Sequence, residues 1–354
     1  PRETISRNYR LSKAANTTEG AYMKIGVYAT GSGTSNHTDL LKQIEYADET
    51  GFDSAWLRER HFHPDHKGRN FFTSPLVAAS YVAARTKHIR IGIASRILPL
   101  DHPIHIAEDG ATVDVISNGR LDLGIARVGE NELYELAFGV TTEEARGRFE
   151  ECVEILLKAW TLPQFSYDGT YYSIPDVSVY PKPVQKPHPP IYLVGISDET
   201  FKFGANRGFP LILAGAQPVS IVKRTQEEYY RLLSDHGFPA REIELPVNRF
   251  LYVAESNQQA IDETRDALNA FIHRGATAIR DYLFRASEEI TPEWLYEEVC
   301  IFGDPDTCIK KINALKEEID LRHIICTFNY YTIDHDRCQK SMERFVKYVM
   351  PHIR

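Results

Sequence analysis

The sequence predicts an α/β protein built as a (β/α)8 TIM barrel with insertions. Short apolar runs rich in β-branched residues recur along the chain, and helical apolar spacing follows most of them. Polar residues gather just after these runs, as in barrels that bind ligands at the carboxyl ends of their strands. The eight predicted strands lie near residues 24–29, 53–58, 89–95, 121–127, 190–196, 210–215, 247–254 and 321–328.

The third and fourth strands show this alternation most clearly. Residues 89–94 form an apolar, β-branched run that is too short for a helix. Asp101 is predicted to cap the helix that follows, and Gly119 to end it in the left-handed conformation. Residues 121–126 form the next strand, and Arg127 stands at its end.

Two further helices have clear signals at their ends. Residues 37–50 keep a helical apolar pattern until Gly51, and residues 75–85 form a second helix with Ser74 as its predicted N-cap. A doubly wound open sheet is the alternative architecture. It is disfavoured because no GxGxxG motif follows the first strand.

We expect a single barrel domain over residues 23–354. Residues 1–22 are polar and aperiodic, which indicates a flexible N-terminal extension or an expression remnant outside the fold. Residues 161–189 are rich in Pro and Tyr and are expected to form an ordered excursion. Residues 272–303 are mostly polar and long for a connection, so we predict a lid loop there.

The composition excludes several classes of function. The net charge is −8 and basic residues are scattered, so neither nucleic acid nor an acidic membrane surface is an expected partner. No apolar run approaches the length of a membrane span. The five cysteines form an odd set without a CxxC pair, which indicates reduced thiols in a cytoplasmic protein.

Six segments resemble bacterial luciferase and the flavin-dependent luciferase-like monooxygenases, over about residues 23–352. They are GFDSAWLRERHF, ILPLDHPIHIAED, SNGRLDLGIAR, ARGRFEE, YLVGISDET and the closing CIKKI…VMP. Their order and spacing along the whole chain make the resemblance specific. It implies a TIM barrel, a flavin mononucleotide (FMN) site at the C-terminal mouth and a dimer, but it does not imply a substrate.

The resemblance places the flavin phosphate beside two arginines. Arg127 and Arg146 match phosphate-binding arginines of the family, and a phosphate monoester needs planar, permanently charged donors. The alternative for each is an ordinary surface ion pair.

A second group of predicted cofactor residues closes the fifth strand and opens a helix. Ser197 and Thr200 match family phosphate contacts, and a helix N-terminus favours anions. Their alternative role is helix capping only. Ile196 replaces an acid of the family, so one polar contact is missing. The group consists of Gly195, Ile196, Ser197 and Thr200.

Ala94 and Ser95 match the position where luciferase carries a non-proline cis peptide bond beneath the flavin ring. The resemblance therefore predicts a cis bond here, and an ordinary trans strand end is the alternative.

The sequence departs from the luciferase pattern directly after the second strand. Luciferase has a glutamate followed by two histidines, the first of which is its general base. Here the order is Glu59, Arg60 and His61, and a guanidinium stays protonated and cannot be a base. Arg60 and His61 are the predicted catalytic residues. Arg60 is expected to steady an anionic reduced flavin or a substrate carboxylate, and His61 is the alternative base.

His61 also begins a group of residues that could ligate a metal, with His63, Asp65 and His66. A His-x-His pair at a barrel strand end is similar to that of metal-dependent amidohydrolases. That family adds histidines after strands five and six, where this chain has none, so no metal is predicted and a metal hydrolase is a minor alternative.

The sequence therefore predicts a two-component flavin-dependent monooxygenase. A separate reductase would supply reduced FMN, because no nicotinamide fingerprint is visible, and dioxygen would oxygenate a small organic substrate without light emission. The alternatives are a deazaflavin-dependent hydride-transfer enzyme and a non-catalytic flavin-binding protein. A homodimer is expected, because the helix at 75–85 carries small residues that let a facing helix approach, namely Ala78, Ala79, Ala83 and Ala84.

Overall fold

The computed structural model describes residues 22–30, 36–62, 72–128, 132–274 and 290–354. These residues form two compact units. The first unit comprises residues 57–62, 72–128 and 132–194, and the second comprises residues 22–30, 36–56, 195–274 and 290–354. Both units combine parallel strands with helices, so the predicted α/β class is confirmed.

The secondary-structure elements follow one another in an alternating order. The strands are β1 (Lys24–Ala29), β2 (Ser54–Leu57), β3 (Arg90–Ile97), β4 (Leu121–Ala126), β5 (Phe165–Asp168), β6 (Ser173–Val177), β7 (Ile191–Val194), β8 (Leu211–Ile212), β9 (Val247–Val253), β10 (Ile301–Gly303) and β11 (His323–Thr327). The helices are α1 (His37–Glu49), α2 (Pro75–Arg85), α3 (Pro103–Ile116), α4 (Glu132–Phe138), α5 (Thr142–Thr161), α6 (Asp198–Ala205), α7 (Val219–Asp235), α8 (Asn257–Arg274), α9 (Pro292–Glu298), α10 (Pro305–Glu318) and α11 (His335–Arg344). All eight predicted strands are present.

The first unit is built on three parallel strands. β4 lies between β3 and β7, with Ile91 opposite Leu121 and Leu123 opposite Ile191. Helices α3 and α5 pack against each other. Their contact centres on Trp160, whose ring nitrogen donates a 2.9 Å hydrogen bond to the carbonyl of an α3 residue. This bond satisfies the indole N–H inside an apolar core.

The long excursion after α5 is ordered, as predicted. β5 and β6 form an antiparallel hairpin within it. Beyond the hairpin, the side chain of Gln185 donates to Asp114 at 2.7 Å and accepts from Arg90 at 3.1 Å. These contacts attach the Pro-rich segment to α3 and β3.

The second unit contains the parallel strand order β10-β9-β11-β1-β2. Val247 of β9 faces Ile324 of β11 on one side and forms an isolated bridge to Leu213 on the other. The segment after β8 therefore lies beside the start of β9, and β10 pairs with later residues on the same edge of β9.

One predicted helix cap was wrong, and a second is in the predicted place without its side-chain hydrogen bond. His102, rather than Asp101, caps α3, with its Nδ1 accepting a 3.3 Å hydrogen bond from the amide of Ile104. Asp101 instead accepts from Nη2 of Arg96 at 2.6 Å and from the amide of His102 at 2.7 Å, and a charged donor forms a stronger hydrogen bond than a neutral amide. Ser74 precedes α2 but makes no side-chain capping bond.

The alanines of α2 do not form an exposed face. Three of them, Ala78, Ala79 and Ala83, are buried within their own unit, where α2 packs against α3 and β3. Val77 and Tyr81 are exposed instead, at 70% and 45%. Three of the four small residues therefore face the interior of the unit, and only Ala84 is exposed beside this apolar pair.

The cysteines and the helices bear on expectations drawn from the composition. All five cysteines are buried free thiols. No helix in the described part of the chain is both long and apolar enough to cross a bilayer.

Tyr22, placed outside the fold by the sequence prediction, donates a 2.9 Å hydrogen bond to Asp53. Residues 1–21 and 275–289 lie outside the described residues, and about half of the predicted lid at 272–303 falls on the second of these segments. The described parts of that prediction are mostly not loop, since they hold the end of α8, all of α9 (Pro292–Glu298) and β10 (Ile301–Gly303).

A chain of hydrogen bonds fixes the start of β11 in the second unit. His323 contacts Glu244 through Nδ1 at 3.1 Å and Ser54 through Nε2 at 2.9 Å. Lys24 adds an ion pair to Glu244 at 3.1 Å. Although the order matches a Ser-His-acid triad, Ser54 is only 1% exposed and its Oγ also accepts from Trp56, so the network is structural.

We predict that Glu244→Gln lowers the free energy of unfolding by about 1.5–3 kcal/mol at pH 7, as for hydrogen bonds to charged groups. Burial alone would raise the pKa of Glu244, but the hydrogen bond from His323 and the charge of Lys24 lower it below its ordinary value of 4.5. The stabilisation is therefore complete above pH 4.5 and is lost as the pH falls through the lower folded pKa.

Urea denaturation at several pH values measures this effect as the difference between the wild type and the variant. Glu242→Gln, at an exposed neighbouring position, is the control. A difference that grows as the pH falls would contradict the assignment.

Candidate active site

A buried carboxylate organises the segment that follows β2. The side chain of Glu59 is fully buried. Its oxygens accept hydrogen bonds from Nη1 of Arg96, from the amide of Ile97 at 2.8 Å and from Nε2 of His61 at 2.8 Å. Three donors thus compensate the loss of water around one negative charge.

Arg96 connects this carboxylate to a second one. Its Nη2 lies 2.6 Å from an oxygen of Asp101, while Nη1 binds Glu59, and its side chain is only 11% exposed. A buried charge is tolerated when it is paired and hydrogen-bonded. The guanidinium therefore holds the end of β3 against the segment after β2.

His61 is held on both its main chain and its ring. The hydroxyl of Tyr134 accepts from the His61 amide at 3.1 Å and donates to the His61 carbonyl at 3.0 Å. The ring lies edge-on to Phe138, with centroids 5.0 Å apart, and is 16% exposed. These contacts restrict the imidazole to one orientation.

The partner of Nε2 determines which ring nitrogen of His61 is available. A carboxylate only accepts hydrogen bonds, so Glu59 requires a proton on Nε2 of His61. In the neutral ring the free lone pair is then on Nδ1, and this atom has no hydrogen-bond partner among the described residues. The arrangement therefore presents a basic nitrogen whose tautomer is set by a buried acid.

Arg60 lies between these two residues in sequence and is half-buried. Its guanidinium cannot accept a proton. Of the two predicted catalytic residues, only His61 therefore has the atom that a general base needs.

The peptide bond between Ala94 and Ser95 is cis, as the resemblance predicted. It lies within β3 directly before Arg96, where the register between β3 and β4 shifts. Ala94 is buried and Ser95 is half-buried.

The predicted phosphate arginines are on the surface of the first unit. Arg127 directly follows β4 and is exposed. Arg146, on α5, forms a 3.0 Å ion pair with Glu150, and both side chains are more than 40% exposed. The ion pair foreseen as an alternative is thus present for Arg146, and a phosphate would compete for the same guanidinium.

The predicted phosphate residues of the second unit form a compact turn. Ser197 caps α6, its Oγ accepting from the Thr200 amide at 3.3 Å and lying 3.0 Å from the Thr200 hydroxyl. A Cβ on Gly195 would lie 2.9 Å from Cγ2 of Thr200, so glycine lets the hydroxyl pair approach the strand end. Asp198 and Glu199 are exposed. The capping role foreseen as the alternative is thus present for Ser197, and an anion would compete for the same amide.

Sequence reasoning missed three contributors to this site. Glu59 was recognised only as part of a motif, and neither Arg96 nor Tyr134 was singled out. The sequence could have indicated Glu59, because it is an acid that directly follows a strand and precedes the predicted catalytic pair. The other two reach the site through contacts 37 and 73 residues apart in sequence, which periodicity does not reveal.

His63, Asp65 and His66 lie outside the described residues. Within the described ranges, no group of three metal-ligating side chains is placed to hold an ion.

Comparison with known proteins assigns the chain to a family of enzymes. It belongs to the luciferase-like monooxygenase family, which its residues 21–321 match, and is therefore an oxidoreductase. It is 26% identical over 328 residues to the alkanal monooxygenase alpha chain of Photobacterium leiognathi, covering 87% of this chain and 91% of that protein. It is also 26% identical over 338 residues to the oxygenase component of the flavin-dependent trigonelline monooxygenase of Acinetobacter baylyi, with 89% of each chain covered.

Solved structures share the fold over nearly the whole chain. A monooxygenase from Streptomyces bottropensis has a TM-score of 0.81 at 24% identity, covering 94% of this chain and 100% of that one. The oxygenating constituent of 3,6-diketocamphane monooxygenase from Pseudomonas putida, solved with FMN, has a TM-score of 0.78 at 20% identity and covers 94% and 99%. An F420-dependent secondary alcohol dehydrogenase has a TM-score of 0.74 at 17% identity and covers 94% and 99%. At these identities the similarity concerns the fold alone.

We predict that Glu59→Gln lowers the free energy of unfolding by about 3–5 kcal/mol, because breaking a buried ion pair leaves Arg96 with only the more exposed Asp101 as a counterion. Denaturant titration of the purified protein measures the loss. Glu150→Gln, which breaks the exposed pair with Arg146, should cost less than about 1 kcal/mol. Equal losses for the two variants would mean that Glu59 is not the centre of this network.

Proposed function

We propose that the protein is the oxygenase component of a two-component flavin-dependent monooxygenase that acts on a small organic substrate without emitting light. The observation that carries the proposal is the Glu59–His61 pair, in which a buried carboxylate fixes the tautomer of a partly exposed imidazole. The flavin-dependent trigonelline monooxygenase, similar over 89% of each chain, supports the general reaction.

Reduced FMN is the proposed cofactor, supplied by a separate reductase. When bound, it would supply the electrons with which dioxygen is activated. Arg127, Arg146, Ser197 and Thr200 would hold its phosphate, and the hydroxyl pair beside Gly195 fits such an anion. Ala94 and Ser95 would lie against the flavin ring, and Gly195 and Ile196 would complete the contacts.

His61 is proposed as the general base. Its Nδ1 would take a proton from the substrate, and Glu59, bonded to Nε2, would stabilise the imidazolium that results. Arg60 would steady negative charge on the flavin or on the substrate. The rings of Tyr134 and Phe138 beside His61 would keep water from the imidazole and offer the substrate an apolar surface.

The larger assembly is part of the same proposal. We propose that residues 23–354 form one closed eight-stranded barrel, which the structural similarities support. Two copies would associate through α2, where Val77 and Tyr81 are exposed. The five buried free thiols suit a reducing compartment such as the cytoplasm.

If the two arginines bind the flavin phosphate, Arg127→Ala or Arg146→Ala should weaken binding of reduced FMN by about 1.5–3 kcal/mol, as for hydrogen bonds to charged groups. Riboflavin lacks the phosphate and should bind variants and wild type alike. Anaerobic titration under reducing conditions measures both affinities.

Arg148→Ala is the matched control, because Arg148 lies on the same helix but pairs with Glu144 and covers the ring of Tyr171. Unchanged FMN affinity in both test variants would reject the phosphate assignment. Preferential binding of a deazaflavin by the wild type would favour the hydride-transfer alternative.

For catalysis, we predict that His61→Ala lowers substrate-stimulated oxygen consumption by about 10²–10⁴-fold, the usual contribution of a general base. Arg60→Ala should slow the reaction less, because a guanidinium can stabilise charge but cannot take a proton. The assay supplies reduced FMN and dioxygen and screens small organic compounds for coupled oxygen use.

With a long-chain aldehyde, the wild type should consume oxygen with negligible light. Binding of FMN by His61→Ala and by Arg60→Ala is the control that both variants still fold. Full turnover by the His61 variant would show that another group is the base, and bright emission would contradict the proposed role of Arg60.

A further inference from the structure

A cavity of about 480 Å³ lies in the second unit, away from the predicted cofactor residues. It is bordered by the beginning of α7, by β9 and β10, and by α10. Its walls are largely apolar, with Val299, Ile301, Ala314 and Leu315 among the lining residues. The volume falls in the range of sites that bind small molecules.

Arg249 of β9 lines this cavity and is 1% exposed. Its Nη1 makes only two long hydrogen bonds, to the carbonyl of Gly215 at 3.5 Å and to that of Asn248 at 3.4 Å. Its Nη2 is buried without a partner in the described parts of the chain, and no carboxylate there forms an ion pair with it. Burial lowers the pKa of Arg249 to about 10. Arg249 is thus a buried cation that has no counterion among the described residues.

A second cation borders the same space. Lys311 donates from Nζ to the carbonyl of Tyr296 at 2.7 Å and to that of Cys300 at 3.3 Å, which leaves one of its three N–H groups for another acceptor. Burial lowers the pKa of Lys311, whereas the nearby Glu297 raises it.

The acids around the cavity do not neutralise its interior. Glu297 and Glu298 are exposed, and Glu318 pairs with Lys223 at 3.0 Å. The inner surface therefore combines apolar walls with two cationic groups.

We propose that this cavity binds a small organic carboxylate that has an apolar body. A planar guanidinium matches the two oxygens of a carboxylate, and apolar walls would cover a hydrocarbon or aromatic body. Because Nη2 is buried, the Arg249 side chain must turn towards the cavity to meet the ligand. Its two long hydrogen bonds restrain that movement only weakly.

A small molecule fits these observations better than a partner protein. An acidic side chain of a partner would bring the same carboxylate, but not a separate apolar body to fill the remaining volume. The site does not depend on the proposed flavin chemistry, since none of the predicted flavin contacts lines the cavity.

The test is calorimetric titration of the full chain with benzoate and hexanoate, with benzamide and hexanamide as neutral analogues. Both carboxylates should bind saturably and the amides should not. Arg249→Met should weaken carboxylate binding about tenfold or more, as expected for loss of a charge-assisted contact. This variant should still fold, because an apolar side chain of similar volume replaces an unpaired charge.

Two further variants separate the site from general effects. Ala314→Phe fills the cavity while keeping Arg249, and should abolish binding. Arg231→Met makes the same substitution on α7 outside the cavity lining and should bind like the wild type. Flavin affinity should not change in any of them.

Any one of several results would overturn the proposal. These are the absence of carboxylate binding by the wild type, equal binding by Arg249→Met, equal binding of the neutral amides, and binding only of an acidic hexapeptide, which would indicate a partner protein. Equal binding of inorganic phosphate would show a general anion site and would also overturn the proposed apolar specificity.

Discussion

The burial of one carboxylate determines the geometry of the candidate active site. Glu59 has no contact with water, so its charge must be balanced by the protein. Arg96, the amide of Ile97 and the ring of His61 supply that balance. Because His61 is one of the groups that compensate the buried charge of Glu59, its ring is held in a fixed orientation. An interaction that the stability of the fold requires therefore also sets the geometry of the candidate active site.

The same rule distinguishes the other buried charges. Glu244 is paired with His323 and Lys24, and its lowered pKa records that compensation. Arg249 is more deeply buried than Glu244 but meets only two distant carbonyls among the described residues. A paired buried charge is explained by the fold itself, whereas Arg249, which has no ion-pair partner among the described residues, is the basis of the proposed carboxylate site.

The sequence predicted the elements of the fold better than the contacts of individual polar residues. Apolar periodicity depends on neighbours in the chain, so all eight strands and the ends of α1 and α3 at Gly51 and Gly119 were found. Asp101 is not the N-cap of α3, because one of its oxygens is held by Arg96, which the fold brings close, and the other accepts from the amide of His102. Propensity gives way where tertiary contacts offer a stronger interaction.

The candidate site shows the same division between local and distant information. The cis bond after Ala94 and the turn at Ser197 followed from a resemblance that covers the local motif. The tautomer of His61 depends on which of its nitrogens meets Glu59, and only the folded chain reveals this. Arg60 stands where the luciferase pattern has a histidine, and the neighbouring His61 binds the buried carboxylate of Glu59 through Nε2. The position of a charge, more than the identity of the next residue in the motif, decides which chemistry this site supports.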